Sequence, residues 1–219
     1  MSRDLHNMID LLIKKSYEFL RRQEDVKYGL LKRISDILKK CRQSIKAAYA
    51  QDFTMARRLL DEVQHDIEKI VKMASKNGIY DTWPPIVQTY QEFLEAIFIY
   101  WFTSGREHRL KSKPPPASIL YAASDLIGEL KRVMMENLRR GRLDEAENAY
   151  SLMVQLYENL STIALGEAVL PGFKRKVDVN RASVESAFTI LNEELRRKAF
   201  LSSMEKYFEK KHNDNSQRV

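Results

Sequence analysis

Apolar residues recur along this chain at spacings of three and four, the period of a helix that buries one face. Leu5, Met8, Ile9, Leu12, Ile13, Tyr17 and Leu20 open such a stripe. A polar stretch, residues 21–25, interrupts it, and Val26, Leu30, Leu31, Ile34, Ile37, Leu38 and Cys41 resume it. No proline divides the segment and Gly29 is a weak breaker, so one or two long helices are expected over residues 4–49. Asp52 stands where it can cap a second helix over residues 53–75, striped by Leu59, Leu60, Val63, Ile67, Ile70 and Val71, and Asn77-Gly78 supplies turn chemistry to end it. Residues 81–85 (DTWPP) open a third helix that runs to about Ser104, since proline is tolerated in a first helical turn. A basic loop, residues 105–116, ends in three prolines that favour an extended path. A fourth helix follows, ending near Arg140-Gly141, and a fifth is expected over residues 143–165, with Asp144, Glu145 and Glu147 complementing its dipole. Pro171-Gly172 breaks the chain; residues 173–179 read as a loop or an early helical turn. A last helix with Val184, Ala187, Phe188, Leu191 and Leu195 is expected over residues 180–208. No segment alternates with the period of a strand, and no internal repeat stands out. The pattern predicts an all-α protein, a bundle of about six or seven long antiparallel helices. It forms one domain over residues 1–209, followed by a polar, disordered tail over 210–219.

Composition narrows the class. Hydrophobic residues make up 44% of the 219, ordinary for a globule, and the 7 glycines and 6 prolines are few enough to favour long helices. The formal charge of +7 is compatible with nucleic-acid binding without requiring it. Bases crowd the polar face of the first helix: Lys14, Lys15, Arg21, Arg22, Lys27, Lys32, Arg33, Lys39, Lys40, Arg42 and Lys46. Such a face is ordinarily solvated; it could also contact phosphates. Cys41 is the single cysteine, so no internal disulfide forms, and a packing role is expected of it. The four histidines are far apart and no HxxxH or CxxC spacing occurs, which argues against the usual zinc sites. The N-terminus lacks the apolar core of a signal peptide, and the most apolar run, residues 96–102, is far shorter than the roughly 20 residues a membrane span needs. A soluble, cytoplasmic protein is expected.

Two pairs of acids carry the candidate chemistry. Glu92 and Glu95 are three apart, and Asp125 and Glu129 four apart, so each pair shares a helix face. Acids on helices ordinarily face water, where such a pair costs only a few tenths of a kcal/mol. These sit among apolar residues: Phe93, Leu94, Ile97 and Phe98 around the first pair, Leu126, Ile127 and Leu130 around the second. Ser124 and Gly128 add a small-residue strip where another helix can approach. If the two helices pack together, four carboxylates converge, and burying them requires compensating positive charge. A divalent cation supplies it; oxygen-only ligation suits Mg²⁺, with Mn²⁺ or Ca²⁺ as alternatives, and the ExxH motif of di-iron bundles is absent.

The stretch from Leu120 to Ala146, LYAASDLIGELKRVMMENLRRGRLDEA, resembles translin-associated factor X, where a D-L-T-G-E-L-M-R run is typical, and YQEFLEA resembles that family's Q-E-Y-V-E-A run. The later stretches YSLMVQLYENLSTIAL and VESAFTILNEELRR fit the translin superfamily more loosely. The resemblance covers most of the chain, with strong motifs between Tyr90 and Glu145. It implies an all-α, translin-like protein assembled into a closed octameric shell. It also implies a Mg²⁺-dependent endoribonuclease whose catalytic and metal-binding acids are Glu92, Glu95, Asp125 and Glu129. Translin proper lacks most of these acids and has a His- and Arg-rich start to its third helix where this chain has TWPPIVQ, so those nucleic-acid contacts do not carry over.

The reading that follows is a metal-dependent endoribonuclease cleaving single-stranded RNA within a homo-oligomer, with a translin-like protein as a possible partner and no membrane association. Two others stand beside it: a non-catalytic single-stranded RNA- or DNA-binding protein, and a helical scaffold for protein partners.

Overall fold

Helix stops, more than helix propensity, divide this chain. The computed structural model describes residues 2–76 and 83–216, with side chains over 5–76 and 83–209. They form six helices: α1 (Ser2–Tyr49), α2 (Phe53–Lys76), α3 (Pro84–Ser104), α4 (Pro116–Arg139), α5 (Leu143–Ser161) and α6 (Phe173–Ser216). No strand occurs among the described residues, and no helix among them is long and apolar enough to cross a membrane. The stop expected at Asn77-Gly78, and Asp81-Thr82 beyond it, lie outside the described residues.

Three helix ends show the same left-handed device. α1 closes with Gln51 at φ 62°; its N–H donates to Ala48 O (3.0 Å), and the next N–H, of Asp52, reaches back to Ala47 O (2.9 Å). That is the two-bond Schellman arrangement, here with glutamine where glycine is usual. Gly141 (φ 71°) ends α4 identically, through Gly141 N–H to Leu138 O and Arg142 N–H to Asn137 O. Gly105 (φ 69°) ends α3 with one bond, to Trp101 O at 2.8 Å. Asp52 then caps α2 by accepting from Met55 N–H at 3.0 Å. Prolines open α3 as expected, with Trp83 as the extended residue before them.

The chain divides into two compact units, Met1–Ala122 and Ala123–Val219. In the first, α1 packs on α2 and α3, which also touch each other. Leu30, Ile34, Ile37, Cys41 and Ala48 of α1 are buried at helical spacing, together with Leu60, Val63, Ile67 and Ile70 of α2 and Ile86, Tyr90, Phe93 and Leu94 of α3. Truncating one of these, Ile67 for example, removes apolar contacts and leaves a void worth about 2–5 kcal/mol. Lys40 of α1 bridges to Asp66 (2.9 Å) and Glu62 (3.2 Å) of α2, so one member of the basic face is a structural tie. The apolar stripe of the first half of α1 is helical but not buried: Leu5, Met8, Leu12, Tyr17 and Leu20 are all exposed. Within the apolar run over residues 96–102, Trp101 is 48% exposed in the single chain.

In the second unit, α5 packs on α6. Leu143, Ala146, Ala149, Met153 and Leu160 form the buried face of α5, and Phe173, Asn180, Val184, Ala187 and Leu191 that of α6. α6 therefore begins seven residues earlier than the expected start at Asn180, α5 ends at Ser161 rather than 165, and Phe188, placed on the apolar stripe, is 53% exposed. α6 also extends through residues 210–216, part of the polar stretch from which a tail was expected; no glycine or proline interrupts it there.

Side-chain hydrogen bonds pin the basic loop between α3 and α4 in the first unit, among them one from Arg57 to the Glu107 carbonyl at 3.1 Å. Tyr90 and Ser112 share a hydrogen bond of 2.7 Å between their hydroxyls. His108, 3% exposed, sets its Nε2 3.1 Å from Asp61 Oδ1 and its ring edge-on to Phe93, while its Nδ1 meets no hydrogen-bond partner among the described residues. Burial first, and then the nearby Arg57, lower the His108 pKa; Asp61 opposes them. The fold thus favours neutral His108. Its contribution is fully present above the ordinary histidine value of 6.5 and is lost as pH falls below that value towards the depressed one. Denaturant unfolding followed from pH 7.5 to 5 should show falling stability, and His108→Gln should flatten that fall; an equal decline in both proteins would assign it to other groups.

Candidate functional site

α4 carries Asp125 and Glu129 one turn apart, and both are half-buried. The apolar neighbours that made the pair stand out, Leu126, Ile127 and Leu130, are buried as expected. What lies against Asp125 is α6. Lys176 Nζ donates to Asp125 Oδ1 in a charged hydrogen bond, with the two side chains 37% and 26% exposed. One turn further along α6, Asn180 Nδ2 donates to Ser124 Oγ at 2.7 Å, and both residues are buried. A third link, Lys131 Nζ to Ser186 Oγ at 3.1 Å, continues the seam. Glu129 lies 3.4 Å from the exposed guanidinium of Arg132. Of the expected small-residue strip, Ser124 meets α6, whereas Gly128 is exposed and a Cβ there would meet nothing within 4 Å.

Beside the Asp125–Lys176 pair an open cleft of about 400 Å³ is lined by Ser124, Asp125, Gly172, Arg175, Lys176, Val179 and Asn180. Four cationic or neutral hydrogen-bonding side chains and one carboxylate line it, with no aromatic ring. The first two turns of α6 supply Arg175, Lys176 and Asn180, and Gly172 (φ 72°) lets the chain turn sharply into that helix. The Gly172 N–H is already satisfied by Glu167 Oε2 at 2.6 Å.

The other acid pair belongs to the first unit. Glu92 and Glu95 of α3 are half-buried, and their negative charge reaches the fully buried thiol of Cys41 on α1. Burial chiefly, and then Glu92 and Glu95, push that thiol far above its ordinary range. Cys41 is thus the packing residue its sequence context predicts, held protonated and unreactive. Within each unit, and among the described residues, no three His, Cys, Asp or Glu side chains gather as a metal cage.

AfC3PO, a solved structure, superposes on this chain with a TM-score of 0.76 at 22% identity, over 85% of this chain and 98% of that one. The fold is that of the C3PO proteins. AfC3PO in complex with duplex RNA matches with a TM-score of 0.67 at 21% identity, and apo-NeC3PO with 0.68 at 19%, each over 85% of this chain and 98% and 96% of theirs respectively. An uncharacterised protein of Methanocaldococcus jannaschii is 25% identical over 180 residues, 76% of this chain and 75% of that protein. No protein-family model matches the chain. At these identities the likeness is one of fold, and it is the all-helical fold that the resemblance to the translin superfamily implies.

Lys176 and Asn180 are the residues that the sequence reading passed over. A signal for them was present: Phe173, Val177, Asn180, Val184, Ala187 and Leu191 keep alternating steps of four and three, which carries the helix back to its break at Gly172. Reading the stripe from the polar Asn180 forward hid that continuity. The thiol offers a check on the surroundings of the Glu92–Glu95 pair. A disulfide reagent at pH 8 should label Cys41 only at the rate of unfolding, and rapid labelling of the native protein would contradict its burial against the acids.

Proposed function

We propose that this chain is an RNA-binding protein of the translin type and, more narrowly, a Mg²⁺-dependent endoribonuclease of the translin-associated factor X kind that cleaves single-stranded RNA. Its acids are Glu92, Glu95, Asp125 and Glu129. The observation that carries the reading is a half-buried Asp125, balanced by a lysine, at the edge of a cleft walled by Arg175 and Lys176. It occurs in a fold that in AfC3PO has been solved bound to duplex RNA.

The candidates have the ligand chemistry a hard divalent cation takes, while within each unit, among the described residues, no three of them gather as a cage. All four candidates are carboxylates, and Asp125 and Glu129 keep 26% and 15% of their side-chain surface, so their oxygens stay reachable. Lys176 already places one positive charge against Asp125, so a metal there would have to displace the lysine or share the carboxylate with it. When bound, Mg²⁺ would supply charge stabilisation for the crowded phosphate and lower the pKa of a water molecule. The chain's own residues do the rest. Asp125 and Glu129, one turn apart on a rigid helix, present oxygens at fixed separation; a carboxylate of the set accepts a hydrogen bond from the attacking water and aligns it. The Asn180–Ser124 bond fixes the backbone next to Asp125, so that its carboxylate does not drift.

The Asp125–Lys176 pair also favours a second reading, an RNA-binding protein without cleavage, in which the acid is a structural partner of the lysine. Labelled single-stranded RNA incubated with the protein in Mg²⁺ or in EDTA separates the two. The nuclease reading expects cleavage in Mg²⁺ alone, and a loss of about 100-fold or more in Asp125→Asn, because several kcal/mol of charge stabilisation disappear. RNA affinity in that variant should not fall, since a charge that repels phosphate is gone. Undiminished cleavage by folded Asp125→Asn would remove Asp125 from the catalytic set. A duplex probe run in parallel tests the preference for single strands.

The exposed apolar residues of α1, among them Leu5, Met8, Leu12, Ile13, Tyr17 and Phe19, support a homo-oligomer, since water is a poor neighbour for so continuous a stripe. The resemblance extends this to an octamer, with a translin-like partner as an alternative subunit. Light scattering at micromolar concentration should give a mass of several chains; a monomer would remove the shell.

A further inference from the structure

We infer that Lys176 is the exchangeable counter-ion of Asp125: it neutralises the carboxylate in the free protein and moves onto an RNA phosphate seated in the α4–α6 cleft. This rests on the RNA-binding reading and assigns a phosphate contact that the acid motifs do not contain. Three observations lead to it. First, the pair is only partly desolvated, with Asp125 26% and Lys176 37% exposed, so the ammonium can leave without stranding a fully buried charge. A lysine is suited to this, as a point charge on a flexible four-carbon stem. Second, Arg175 lines the same cleft, so two cationic side chains face a space of about 400 Å³ that accommodates a phosphodiester and its ribose. Asn180, tied to Ser124 at 2.7 Å, holds the floor in place. Third, the Gly172 N–H, at the turn that lines the cleft, already donates to Glu167. The cationic side chains are therefore the anion contacts to test here.

The composition of the cleft also decides what part of RNA it holds. Bases bound to proteins stack on aromatic rings, and none lines this cleft. The contact is to the backbone and is blind to sequence. Asp125 then has a second effect beyond any metal: while its charge is unmet it retains Lys176, and once that charge is met the lysine is released to the phosphate. Neutralising Asp125 should tighten RNA binding through Lys176.

The test is fluorescence anisotropy with labelled oligouridine and oligoadenosine in EDTA, over a series of KCl concentrations, so that neither metal nor cleavage enters. Lys176→Met should weaken binding severalfold, equally for both oligomers, and make the slope of log affinity against log salt shallower by about 0.7. Lys176→Arg should bind like the parent. Asp125→Asn should bind severalfold tighter, and the double variant Asp125→Asn/Lys176→Met should fall back to the level of Lys176→Met alone. If Lys176→Met does not fold, Lys176→Gln, which can still donate to Asp125, takes its place with the same expectations. Unchanged affinity and salt slope in the lysine variant would overturn the inference, and so would an Asp125→Asn gain that persists undiminished without Lys176, since that gain would be general electrostatics. A parent protein that binds RNA but does not cleave it in Mg²⁺ loses only the catalytic reading, while a parent that binds no RNA at all loses the functional reading and this inference together.

Discussion

A carboxylate drawn partly out of water must be met by positive charge, and in the second unit that requirement orders what surrounds it. Asp125 is carried on a helix whose next positions, Leu126 and Ile127, are buried, so its carboxylate sits at the edge of the apolar face and only partly in water. Lys176 meets it from α6. For the lysine to be there, α6 must start before it, and the break at Gly172 sets that start. Ser124 and Asn180, one residue away on α4 and one turn away on α6, then satisfy each other in a buried position where an unpaired amide would cost on the order of 1–3 kcal/mol. The electrostatic pair and the polar pair thus hold the same register between two helices, one at the edge of the cleft and one beneath it.

Much of the helical framework was readable from spacing and punctuation. Asp52, the prolines opening α3 and the glycines at 105 and 141 act locally, through backbone geometry that depends on few neighbours, and each does what its chemistry predicts. The misjudged boundaries are of a different kind. The stripe of α6 was started at Asn180 because residues 173–179 are mostly charged, yet Phe173 and Val177 keep the period, and the charged residues between them point to the cleft or to solvent. On α1 the spacing correctly announced a helix, but spacing cannot say what covers a stripe: the same pattern buries Ile34 and Ile37 within the unit and leaves Leu5 and Leu12 exposed.

The acids of the candidate site were legible, their partners were not. Apolar neighbours and shared helix faces mark Glu92, Glu95, Asp125 and Glu129, and all four are half-buried in the structure. A lysine 51 residues away leaves no local trace, because an ion pair between two helices has neither period nor motif. The same holds for His108, which lies in a loop whose sequence reads as basic and proline-stiffened. It is nonetheless buried beside Asp61 and Phe93 and anchors that loop to the first unit.

Net charge is a poor guide to where such a chain meets an anion. The surplus of +7 is spread over many ion pairs within and between helices: Lys40 serves α2, Arg139 and Arg140 both serve Glu136, and Arg181 and Arg197 each bind an acid on their own helix. Exposed pairs of this sort contribute little to stability, but each reduces the field available to a phosphate. What makes the α4–α6 cleft different is shape. Arg175 and Lys176 face a concavity, and the one acid that holds Lys176 is itself a group for which another cation can compete. Under the proposed exchange, a cation at Asp125 and an anion at Lys176 would reinforce each other, since each removes the partner that the other must displace.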